Sequence, residues 1–132
     1  MMLANRHINA IRKKAKRRTG QFPLATVAFY GPNRDLATKV VVGIVPGLDQ
    51  EPLELQRWFS TSMDIRKSQL IMAEVLEFIR MREVPDVALL DFVFGCRHEE
   101  GIDYPDGEPC PHCLHWAGRD RLTGKIRLLT DG

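Results

Sequence analysis

No acidic side chain occurs in the first twenty residues, which hold seven lysines and arginines: Arg6, Arg12, Lys13, Lys14, Lys16, Arg17 and Arg18. The other 112 residues carry 12 basic and 17 acidic groups, so a net charge of +2 hides a +7 segment on a −5 body. Basic segments of this kind commonly meet polyanions. The chain also lacks any apolar run near the roughly 20 residues that cross a bilayer, so no membrane span is expected. No apolar stretch with a small-residue cleavage site follows the basic start, and the expected location is therefore cytoplasmic. Neither Gly-x-x-x-x-Gly-Lys nor Gly-x-Gly-x-x-Gly is present, which removes the common phosphate-cradling loops. Cysteine is scarce. There are three, an odd number that any disulfide scheme would leave with a spare thiol.

Those three cysteines lie together. Cys96-Arg-His98 and Cys110-Pro-His-Cys113 fall within eighteen residues, joined by the acidic, turn-rich segment from Glu99 to Pro109. A Cys-x-x-Cys turn presents two thiolates on one tight loop, and soft tetrahedral ligand sets favour zinc. The predicted ligands are Cys96, His98, Cys110 and Cys113, with His112 and His115 as alternatives for the fourth place. The Cys-x-His half is tighter than usual zinc spacing. A long polar loop with little apolar surface gives a structural metal its physical motive, because the loop cannot build a core of its own.

The rest reads as one α+β domain. Residues 1–21 are expected to be a basic N-terminal helix or arm, with Ile8, Ile11 and Ala15 on one side. Residues 22–132 are expected to form a single domain that includes a zinc-knuckle-like loop over 95–118. Leu24–Tyr30 and the β-branched Lys39–Val45 predict strands, the second central. Leu53–Phe59 predicts a third, with Leu53, Leu55 and Phe59 on one face. Short turns favour a three-stranded antiparallel meander. Thr61-Ser-Met-Asp64 has capping-box spacing and predicts the start of a covering helix. Ile71, Val75 and Phe78, beside Met72, Leu76 and Ile79, supply its apolar face. Val87–Phe94 predicts a fourth, buried strand that leads into the metal loop, and Lys125–Leu129 a late, short one.

The strand, strand, strand, helix, strand order over residues 22–95 resembles the front half of the ribonuclease H-like fold. That resemblance rests on element order alone. Nucleases of that fold hold magnesium with several carboxylates, one on the first strand. Leu24–Tyr30 has none, although Asp91 and Glu74 or Glu77 are suggestively placed. His98-Glu-Glu100 followed by Pro109-Cys-Pro-His-Cys113 also resembles the zinc-deaminase signature, which implies Glu100 as proton shuttle. Only eight residues separate its halves, too few for the strand that the family places there. The favoured expectation is a non-enzymatic, zinc-stabilised protein that binds nucleic acid, RNA above DNA. Lys13, Lys14, Lys16, Arg17 and Arg18 would meet phosphates. Arg119 and Arg121 would add contacts, and Trp116 would pack over the metal loop. A zinc-dependent hydrolase or deaminase and a protein-interaction adaptor are the alternatives.

Overall fold

The computed structural model describes residues 6–99, 102–107 and 111. Within them the order is helix α1 (Arg6–Lys16), strands β1 (Leu24–Tyr30), β2 (Lys39–Val45) and β3 (Glu54–Phe59), a short 3-10 turn (Ile65–Lys67), helix α2 (Gln69–Met81) and strand β4 (Asp86–Gly95). The fold is α+β, with two helices and a four-stranded mixed sheet ordered β3-β2-β1-β4. The predicted meander is present, since β1 pairs antiparallel with β2 and β2 with β3. β4 joins the free side of β1 in parallel. A parallel partner cannot be reached by a tight turn. α2 therefore carries the chain from one sheet edge to the other, about 14 Å across three strand spacings. Its 13 residues span about 20 Å.

Alternation decides which face is covered. Ala25, Val27 and Phe29 of β1 lie opposite Ile44, Val42 and Val40 of β2, and all six are buried. α2 lays Met72, Val75, Leu76 and Ile79 on this face, the stripe predicted from its 3.6-residue period. α1 adds Ile8 and Ile11, both buried in the same core. Each such side chain contributes about 1.5–3 kcal/mol of burial. The segment expected as a basic helix or arm thus holds a helix that docks Ile8 and Ile11 in the core.

Three expectations change in detail. α2 begins at Gln69, not after Thr61. Asp64 instead caps the 3-10 turn, and the Ser68 hydroxyl accepts from Ile71 N to cap α2. Leu53, Leu55 and Phe59 do not bury a common face; all three are exposed. Trp58 is the β3 residue that packs against the core, edge-on to Phe78. Among the described residues β4 is a sheet edge rather than a wholly buried strand, and Leu90 and Asp91 are exposed. Its pairing with β1 slips between Ala28 and Tyr30, a bulge of the kind that re-aims a strand end. The predicted strand over 125–129 lies outside the described residues.

Among the described residues no helix covers the sheet's second face. Lys39 and Val41 of β2 stand beside Phe59 and Arg57 of β3. Tyr30 and Phe94 meet edge to face on the other side. The chain leaving β4 turns onto this face.

Candidate functional site

Gly95 ends β4 and delivers Cys96, which is buried. Its thiol donates to the His98 carbonyl oxygen at 3.5 Å. Beyond it, Ile102 N and Asp103 N donate to Glu99 O, and Glu99 N donates to the Asp103 carboxylate at 2.7 Å. Cys96 and His98, two predicted zinc ligands, therefore sit on an ordered strand end over the open sheet face. Cys110 and Cys113 lie outside the described residues, as do Glu100, His112, His115, Trp116, Arg119 and Arg121. Among the described residues no three His, Cys, Asp or Glu side chains come together as a metal site.

What holds this segment to the sheet was not foreseen. The Glu99 carboxylate accepts from Lys39 Nζ at 2.6 Å and from Arg57 Nε and Nη2 at 2.6 and 2.9 Å. Lys39 also donates to the Arg97 carbonyl oxygen at 3.0 Å. Its ammonium lies 5.6 Å from the ring centres of both Tyr30 and Phe59, and its side chain is only 3% exposed. Buried ammonium groups are costly without such partners. The Arg97 guanidinium lies 5.2 Å from the Phe59 ring centre and donates to Ser60 O. A cavity of about 540 Å³ adjoins this cluster, lined in part by Lys39, Arg57, Phe59, Arg97 and His98.

The electrostatics follow. The Arg57 hydrogen bonds, with Lys39 assisting, draw the Glu99 carboxyl down to about 2 against the cost of burial. A proton shuttle working near neutrality needs a value near the working pH. Glu99 is thus held as an anion by Arg57 and Lys39, while Glu100, the residue expected as proton shuttle, lies outside the described residues. Two of the three carboxylates considered for a nuclease, Asp91 and Glu74, have other partners. Asp91 pairs with Arg12 at 2.8 Å, and Glu74 accepts from the Trp58 indole at 3.2 Å.

The second candidate surface lies at the C-terminal end of α1. Lys13, Lys14, Lys16, Arg17 and Arg18 are all exposed. None of their side chains makes an ion pair or hydrogen bond among the described residues. Cations at a helix C-terminus are favoured by its dipole, which helps this cluster coexist with an ordered helix. Lys14 and Arg17 share a surface depression with Arg80, from the last turn of α2, and with Glu83. The two helix ends thus extend the basic surface with a cation that sequence proximity did not suggest.

Sequence reasoning missed Lys39, Arg57 and Arg97. A faint signal existed, since a lysine opening an otherwise apolar strand calls for a partner. Comparison of the chain with protein-family models, with curated proteins and with solved structures found no match.

Proposed function

We propose that this protein is a non-enzymatic nucleic-acid-binding protein, RNA being its preferred partner, with a zinc-stabilised loop after β4. The observation that carries the reading is the set of five exposed cations at and beyond the end of α1, none engaged with a side chain among the described residues. Ile8 and Ile11 fix the helix that bears Lys13, Lys14 and Lys16 and leads into Arg17 and Arg18. A cluster held on a docked helix meets a phosphate backbone with less ordering cost than a mobile tail would. Cys96, His98, Cys110 and Cys113 are the zinc ligands in this proposal, and the burial of Cys96 on a strand end supports a preorganised first half. Arg119 and Arg121 contribute further contacts beside the loop.

Deleting residues 1–20 is a poor test, because it would strip Ile8 and Ile11 from the core. The better one replaces Lys13, Lys14, Lys16, Arg17 and Arg18 together by Gln, which keeps helix propensity. The readout is affinity for a single-stranded oligonucleotide across a salt series. Each lost phosphate contact removes about 0.7 from the slope of log K against log salt, so five remove about 3.5. An unchanged slope would sink the proposal.

A further inference from the structure

We infer that the cation cluster on the open sheet face is a phosphate-binding site, in which Glu99 is the resident anion that a phosphate monoester displaces. The inference goes beyond the helix surface proposed above and does not depend on it.

The cluster exceeds what an ordinary structural ion pair requires. Three cations from three parts of the chain converge: Lys39 from β2, Arg57 from β3 and Arg97 from the segment after β4. Lys39 is almost wholly buried, and Arg57 grips one carboxylate with two donors. Paired donors of this kind suit phosphate as well as carboxylate. Arg97 makes no bond to Glu99 and lies over Phe59 with its Nη1 on Ser60 O, which leaves further guanidinium donors for a ligand.

Charge completes the case. With Glu99 in place the lining holds three cations against the carboxylates of Glu99 and Asp103, an excess of one positive charge. With Glu99 withdrawn the excess becomes two, which matches a phosphate monoester near neutral pH. The adjoining space of about 540 Å³ falls in the range of small-molecule sites. Phe59, half exposed, offers a ring edge or face to a planar group carried by the phosphate. The ligand chemistry is therefore a phosphate monoester with an attached planar ring. A free nucleoside monophosphate and the 5′-phosphorylated end of an RNA strand both have it.

Titration calorimetry and phosphorus NMR on the full chain test the site with three probes: uridine monophosphate, a 5′-phosphorylated oligouridylate and the same oligomer with a 5′-hydroxyl. Wild type is expected to bind at least one phosphorylated probe better than the hydroxyl oligomer. Binding of the free nucleotide identifies a small-molecule site, and binding of the phosphorylated oligomer alone identifies an RNA end. Arg97→Gln, which touches neither Glu99 nor Lys39 through its side chain, should weaken that binding about tenfold with the unfolding midpoint retained, as expected for one charge-assisted contact. Glu99→Gln should strengthen it, since it removes the competing anion. If that variant fails to fold, Glu99→Asp, whose shorter carboxylate holds Lys39 and Arg57 less closely, should also strengthen binding, by a smaller factor. Equal affinity for the phosphorylated and hydroxyl oligomers overturns the inference. So does binding that Arg97→Gln leaves intact but the five α1 substitutions abolish, which would place all phosphate recognition on the helix and leave the proposed function standing.

Discussion

Asp86 shows how one residue joins distant parts of this chain. It opens β4, is 2% exposed, and accepts from Thr19 N, Thr19 Oγ1 and Gln21 N at 2.6–3.1 Å. The segment leaving α1 is thereby tied to the start of the sheet's edge strand. Burial alone would raise its carboxyl, but the hydrogen bonds from Thr19 and Gln21 outweigh it and hold the value below the usual carboxylate range. Asp64 is likewise lowered, its desolvation outweighed by Arg66 and by the Arg66 and Ala37 amides. Both groups bind protons more weakly folded than unfolded. Their stabilisation is therefore complete above the unfolded carboxylate value of about 4 and is lost as pH falls through the lower folded value. The urea midpoint should hold level above about pH 5 and decline below about pH 4. Asp86→Asn should lower the midpoint at neutral pH and flatten that acid decline. An acid limb identical to wild type would show that Asp86 carries no linkage.

At the scale of elements, periodicity was the dependable signal and boundaries were not. The α2 stripe and the alternation of β1 could be read directly, because burial on one face forces those periods. The α2 start could not, because two caps follow in close succession. Asp64 and Ser68 each hold an amide two or three residues on, and only the later one opens the helix. Ser68→Ala should therefore cost about 1 kcal/mol, whereas Thr61→Ala should leave chemical denaturation unchanged. β3 misled for a different reason. Its Leu55 and Phe59 alternate correctly but face away from the helices, since Trp58 takes the inward position. α1 poses the sharpest choice. A frayed basic tail would tolerate any change at Ile11, while a docked helix with Ile11 wholly buried should lose about 2–5 kcal/mol on Ile11→Ala. Urea unfolding of that variant distinguishes the two.

Across the whole molecule, what could be read was local in sequence and what could not was assembled by topology. The Cys/His pattern stands out in the sequence because its letters are neighbours, and of its four residues Cys96 and His98 fall among the described ones. Lys39, Arg57, Arg97 and Glu99 come together only because β2 and β3 pair and the chain after β4 folds back over them. The same topology bears on the zinc proposed above. The core formed by Ile11, Phe29, Val40, Met72, Val75 and their neighbours lies on the helical side of the sheet. The segment bearing His98 and Glu99 lies on the other side, pinned by ion pairs of its own. A zinc finger without such a core unfolds when its metal is removed. Here a chelator should leave far-UV circular dichroism and slow amide exchange in β1, β2 and α2 intact. Exchange should rise around residues 96–99, where the ligands would be released. Loss of β1 and β2 protection on chelation would instead make the metal a condition of the whole fold. Because Val27, Phe29, Val40 and Val42 are buried in one core with the residues of α1 and α2, protection in those strands is the expected result.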